Sequence, residues 1–446
     1  MRMKKRTLVY VAMALIAGLV VAYVVMNKPE PSAQPVPEPP KPVKVFWADG
    51  TALNMADPAD NLVWLQAKRE LASAGFGDEQ LASGYVVELT IDPKAQRAAN
   101  RILKETLAGQ PENLRTALVA VAPKTGRVIA YSGYHERKPD VDFAASWQNP
   151  GHTFTPFVLL AMLQKDSTRR PDTETFDGRS GRAFGGAIVN NPPGVDCGAQ
   201  CTVATAMKDS VNVVFTDIAF NMVGLRAVAQ AAVDAGIPTN IGEKSVPLEG
   251  SPPDGGLDLN IANGGGRYVA RPLDMAGAYA TFAADGTKHT PHLVAKMKSI
   301  EDGSVVNDGV LVYDGDQTWS GKPALDTTDE AKNAKIARTV TETLLPAGVP
   351  CADNRPCASK AGIHGCPEKR SVSANAVTTR DDSCATWMVG YAPQLSTAVW
   401  VGSEDQSALK DKAGKVLGGK DLAGAAWQAF MNDYLTGKPV EQFPPN

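Results

Sequence analysis

The chain has 446 residues, of which 43% are hydrophobic and 21% charged, the composition of a globular protein with a sizeable core. Its formal net charge of -3 lacks the basic excess of a nucleic-acid binder, so no nucleic-acid partner is expected. Six cysteines fall in local pairs, Cys197/Cys201, Cys351/Cys357 and Cys366/Cys384. None shows the paired C-x2-C spacing that a structural zinc site needs, so no metal is expected from them. Neighbouring disulfides are one reading of the six; reduced, buried thiols are the other.

In chain order, Arg2, Lys4, Lys5 and Arg6 precede an apolar run at 8–26. As a helix that run is about 28 Å long, close to the ~30 Å hydrocarbon core of a bilayer. We read 1–7 as a cytoplasmic tail and 8–26 as a single transmembrane anchor, with the body on the extracytoplasmic side. A cleaved signal peptide is the rival reading, but the run is long and no small-x-small cleavage site follows cleanly. Residues 27–44 carry Pro29, Pro31, Pro35, Pro37, Pro39, Pro40 and Pro42, a stiff spacer with roughly 50 Å of reach. A stalk fits that place better than an SH3-type ligand does.

Residues 45–84 form a short region before the main body, with helical periodicity over 61–73 carried by Leu62, Leu65, Ala67 and Leu71. From Tyr85 the pattern alternates as a strand to Ile91, and Asp92-Pro93 opens a helix to about Leu107. Residues 116–121 and 127–132 read as a hairpin around the turn at 123–126. Helices are predicted at 154–164, 203–222, 225–235, 273–284 and 329–345, and adjacent strands at 385–391 and 396–401. The pattern predicts an α+β body over 85–446, with strands at both ends and helices between.

Several stretches then carry a family resemblance: Leu89-Thr90-Ile91-Asp92-Pro93 with Gln96, the hairpin at 117–130, Asn149-Pro150-Gly151 through Phe157, Pro272-Leu273-Asp274-Met275 through Gly286, and Trp387-Met388-Val389-Gly390-Tyr391-Ala392-Pro393. Over 85–434 the chain resembles the transpeptidase domain of penicillin-binding proteins, in particular the bifunctional class A type. The resemblance implies the penicillin-binding protein and serine β-lactamase-like fold, an antiparallel sheet with a helical subdomain. Class A proteins also carry a glycosyltransferase domain between anchor and transpeptidase. Val45-Phe46-Trp47-Ala48-Asp49-Gly50 resembles the strand leading into it, yet few residues follow before Tyr85, so that domain is expected to be missing.

The family works through three motifs. In the first, Ser-x-x-Lys, a lysine one helical turn after the serine takes its proton as the serine attacks a D-Ala-D-Ala stem peptide. The corresponding positions here hold His152 and Thr155. A neutral histidine is itself a possible nucleophile, but the neighbouring base is gone, and a polar filler of the cleft floor is the plainer reading. The second motif, Ser-x-Asn, is intact as Ser210-Val211-Asn212. In the family its serine passes a proton to the leaving group and its asparagine holds the substrate amide; without the serine–lysine pair a structural role suits them better. The third, Lys-Thr-Gly-Thr, becomes Lys360-Ala361-Gly362-Ile363. Ala361 and Ile363 lack the two hydroxyls that bind the substrate or penicillin carboxylate, and Ile363 narrows the entrance. By carry-over the oxyanion hole uses the backbone N–H groups of His152 and Ile363, which survive any side-chain change.

His152, His364 and Cys366 raise the question of a metal, but no carboxylate or third histidine joins them and Cys366 is a disulfide candidate, so neither metal nor cofactor is expected. The glycine-rich stretches at 178–186 and 264–266 lack the Lys-Ser/Thr of a phosphate-binding loop and read as plain loops. His289 and His292 read as surface-loop residues after the helix at 273–284. The sequence points to a membrane-anchored, inactive transpeptidase homologue that binds peptidoglycan or cell-wall synthesis proteins as a scaffold. The alternatives are an enzyme with a displaced nucleophile and a non-covalent sensor of β-lactams or muropeptides.

Overall fold

The computed structural model describes residues 43–241, 244–245, 256–299, 309–366, 382–405 and 407–446, with Leu19 and Met26 besides. Apart from those two residues, the apolar run at 8–26 lies outside the described residues, as does the spacer up to residue 42. Among the described residues no single helix is long and apolar enough to cross a membrane.

The body opens with β1 (Lys44–Phe46), α1 (Pro58–Ser73), β2 (Tyr85–Leu89) and α2 (Pro93–Leu107). Both helices start on an aspartate cap followed by proline: Asp57 and Asp92 each accept two backbone N–H bonds of the first turn. β3 (Leu114–Val121), β4 (Val128–Ser132), α3 (Thr155–Lys165), α4 (Val203–Asp209), α5 (Asn212–Asp217), α6 (Leu225–Ala235) and α7 (Pro272–Ala283) follow. Then come β5 (Val294–Ser299), β6 (Leu311–Asp314), α8 (Glu330–Leu344), β7 (Ala358–Gly365), β8 (Ser383–Ala392), β9 (Leu395–Ser403) and α9 (Leu422–Leu435).

Two sheets result. The larger has the order β7-β8-β9-β3-β4, every pair antiparallel. Every residue of β3, β8 and β9 is buried because helices cover both faces. Successive strand residues point to opposite faces. Ala117, Val119 and Val121 accordingly join the core containing α3 and α7, whereas Leu118 and Ala120 join the one containing α2 and α9. The outer edge of β4 is closed by a side chain: Gln96 donates to Tyr131 O (2.8 Å) and accepts from Tyr131 N (2.8 Å), standing in for a neighbouring strand.

The smaller sheet has the order β1-β2-β5-β6. β1 runs parallel to β2, and α1 is clasped to the sheet through Glu70, which accepts from Leu293 N (2.6 Å) and the Tyr313 hydroxyl (3.0 Å). Burial pushes the Glu70 carboxyl up to about 7. The region at 45–84 is thus built into the same body. The six cysteines form three bridges, Cys197–Cys201, Cys351–Cys357 and Cys366–Cys384.

Two expectations need correction. The helix predicted over 203–222 is broken: α4 stops at Ser210, whose φ of 59° is left-handed, the chain restarts at Asn212, and 218–223 form a wide π turn. Local periodicity does not register this break, because contacts from elsewhere hold it: Asn191 accepts from Val213 N (3.1 Å) and Lys360 holds the Ser210 hydroxyl. His292 is not a surface residue. It is fully buried, its carbonyl accepts from Val128 N (2.9 Å) and the Thr90 hydroxyl (3.0 Å), and its Nε2 meets Asp316 (3.1 Å).

Candidate active site

The segment leading into α3 is fixed by contacts of its backbone. Gly151 has φ +54°, a conformation that costs glycine least, and its N–H donates to Gly264 O (3.0 Å). A Cβ on Gly151 would fall on the carbonyl of Ile363. From the other side, a Cβ on Gly362 would stand 2.6 Å from Pro150 O and 2.7 Å from Thr153 Cγ2. Trp387 Nε1 donates to Asn149 O (2.8 Å), and the Tyr279 hydroxyl to Thr153 O (2.7 Å). The turn Gly151–Phe154 is therefore wedged between β7, the 264 loop and α7. The glycines at 264–266, expected to be a plain loop, form one wall of this wedge.

On this frame His152 is 8% exposed and its Nε2 lies 2.8 Å from Asn212 Oδ1. Asn212 Nδ2 already donates to Asn190 O (2.8 Å), so Oδ1 is an acceptor and Nε2 must carry the imidazole proton. Nδ1 is then the bare nitrogen. Burial first, and the nearby Lys360 ammonium second, push the His152 pKa down to about 4, so the ring is neutral at neutral pH. One turn on, the fully buried Thr155 turns its hydroxyl back onto His152 O (2.8 Å) and Met207 Sδ (3.3 Å). It offers no base to its neighbour.

The second and third motif positions meet directly. Lys360, 1% exposed on β7, points its Nζ at Ser210 Oγ (2.6 Å) and at Ala361 O (3.2 Å). Burial, then the field of Lys420, lowers the Lys360 pKa to about 7, with Asp209 opposing. Ala361 is half-buried and Ile363 is 38% exposed. His364, two residues after Gly362, is held down to about 4 by burial. Cys366 is committed to Cys384, and among the described residues no three His, Cys, Asp or Glu side chains converge as a metal site.

The fold thus brings together two pairs, His152 with Asn212 and Ser210 with Lys360, and leaves Thr155 turned away from both. Met207, Asn190 and Trp387 were not singled out for the site from sequence. They act through a thioether, a carbonyl oxygen and an indole N–H aimed at the backbone, and none of these leaves a motif. Lys420 likewise sits in no recognisable pattern. Chemically, the cleft holds a neutral imidazole hydrogen-bonded to an amide, with no lysine one turn on, and a serine–lysine contact opposite.

Residues 116–417 match the penicillin-binding protein transpeptidase domain family. The chain is 32% identical to penicillin-binding protein 1A of Mycobacterium tuberculosis over 88% of its own length and 45% of that protein's. It is also 32% identical to penicillin-binding protein 1A of Mycolicibacterium smegmatis, over 88% of this chain and 47% of that one. It therefore spans a little under half the length of these curated relatives. Among solved structures, the penicillin-binding protein PonA1 of M. tuberculosis superposes with a TM-score of 0.73 at 31% identity, covering 87% of this chain and 95% of that one. The same protein in complex with penicillin V gives 0.71 at 31% identity, over 87% and 96%. The D,D-transpeptidase domain from Eggerthella lenta, at 19% identity, 0.62 and coverage of 91% and 100%, shares the fold. From the match over 116–417 and the likeness to PonA1, the chain belongs to the penicillin-binding protein transpeptidase family.

Proposed function

We propose that this protein is a catalytically inactive member of its family, a membrane-anchored binding or scaffold module of cell-wall synthesis on the extracytoplasmic side. The observation that carries the reading is the hydrogen bond between His152 Nε2 and Asn212 Oδ1 (2.8 Å). It supports the reading because the ring is neutral and engages the asparagine that by resemblance would hold a substrate amide. With Thr155 hydrogen-bonded to its own turn, nucleophile and base are both missing. The anchor is supported by the basic residues and apolar run at 1–26, and the oxidising compartment by three disulfides. Partners are peptidoglycan peptides or cell-wall synthesis proteins. Intact-mass measurement after prolonged incubation with penicillin V tests the reading: unchanged mass is expected, and a mass increase of one penicillin overturns it.

A second reading is favoured by one specific contact. Lys360 Nζ at 2.6 Å from Ser210 Oγ, with the lysine largely able to shed its proton near neutrality, is the geometry of a serine–lysine dyad. A displaced nucleophile at Ser210 would keep the protein an acyl-transfer enzyme. Peptide mapping of any penicillin adduct decides it, since label on Ser210 establishes this reading and absence of label removes it.

A further inference from the structure

The third motif has lost both hydroxyls that would meet a ligand's carboxylate, and Ile363 presents apolar surface in their place. The same strand has nevertheless a cation beside it that belongs to no motif. The loop before α9 lies flat against β7: a Cβ on Gly419 would stand 2.7 Å from both Gly362 O and Trp387 O, and 2.9 Å from Gly362 N. The preceding residue, Gly418, lies under the tip of Ile363, whose Cδ1 would be 3.9 Å from a Cβ there. The residue after Gly419 is Lys420, which is exposed.

Its neighbour Asp421 does not neutralise it. That carboxylate accepts from Gly418 N (2.7 Å) and from Lys415 Nζ (3.0 Å), and among the described residues no carboxylate is in ion-pair range of Lys420. Lys420 acts on the cleft all the same, since its charge is the largest influence after burial on Lys360 at the cleft floor. Among the described residues β7 is also the outer strand of its sheet, an edge suited to an extended peptide by strand addition.

We propose that Lys420 is the specificity-determining residue of this cleft, holding the terminal carboxylate of a peptide laid along β7 where Ala361 and Ile363 offer no hydroxyl. This rests on the reading of the cleft as a non-covalent binding site. An ammonium replaces two neutral donors with one charge-assisted bond, so recognition persists but becomes sensitive to salt. A β-lactam carboxylate shares the chemistry and competes for the same group.

The test is calorimetric titration of the full chain in detergent with an N-acetylated peptide ending in D-alanyl-D-alanine, and with its C-terminal amide. The acid should bind about tenfold more tightly than the amide at low salt, and less so at 0.5 M salt. Lys420→Met should abolish the preference without shifting the melting temperature, and Lys420→Arg should keep it. A preference unchanged in Lys420→Met overturns the assignment alone and leaves the cleft a binding site. Equal binding of acid and amide also overturns it. If neither peptide binds, the inference fails together with the binding role, whereas inactivity toward penicillin is judged separately by mass.

Discussion

The two sides of the cleft have diverged differently. On one side Ser210, Asn212, Lys360 and Gly362 are the residue types that the resemblance leads one to expect, and the lysine meets the serine at 2.6 Å. On the other, His152 and Thr155 stand on a tightly held backbone, the one bonded to Asn212 and the other to its own turn. The difference teaches that the frame and the reacting groups are separately specified. The frame depends on close backbone approaches among Gly151, Gly264, Ile363 and Pro150, which are indifferent to whether residue 152 is serine or histidine. Substitutions in the frame should therefore be costly and those on the altered side mild.

The largest effect is expected at the glycines. Gly362→Ala forces a methyl to 2.6 Å from Pro150 O, a backbone atom that cannot rotate away. A loss of about 3 kcal/mol or more in unfolding free energy is expected by denaturant titration. Gly151→Ala adds the strain of its positive φ to the same kind of overlap. Stability unchanged within error in either variant would break the distinction between frame and floor.

Next comes an acid effect from His152. Its folded pKa of about 4 lies below the ordinary 6.5, so between those values the unfolded chain takes up a proton that the folded one refuses. Stability is therefore present in full above pH 6.5 and falls as pH drops toward 4. Compared at pH 7 and pH 4.5, His152→Gln should lose less stability than the native protein by about 2 kcal/mol. His364 titrates in the same window, so the variant retains part of the acid loss. Equal losses in the two proteins would mean that residue 152 is not buried neutral.

The smallest effect is at Thr155. Thr155→Val keeps the shape and removes one hydrogen bond to His152 O, at a cost of about 1 kcal/mol. A loss as large as that of Gly362→Ala would place Thr155 in the frame instead of on the floor.

Much of this cleft was legible in the sequence. The hairpin at 116–132 and the proline-capped helix at 93 follow from local pattern, and of the positions assigned by resemblance the structure pairs His152 with Asn212 and Ser210 with Lys360. What sequence did not give is where the chain departs from local preference. Ser210 sits left-handed inside an apparently continuous helical run, because Lys360, 150 positions away, holds its hydroxyl. His292 looked like a loop residue because its burial depends on Asp316 and on β4. The notion of a metal at His152, His364 and Cys366 depended on a free thiol, and the bridge to Cys384 removes it. Lys420 was invisible since only the packing of Gly419 on Gly362 brings it to the third motif.

The central claim, that a sound transpeptidase frame has lost its reacting groups, is tested most directly by fluorescent penicillin labelling read after denaturation. The native protein should be compared with a variant carrying His152→Ser, Thr155→Lys, Ala361→Thr and Ile363→Thr. Label on the variant alone is the predicted result. Label on the native protein would contradict the account, and the modified residue would identify the nucleophile that the cleft still holds.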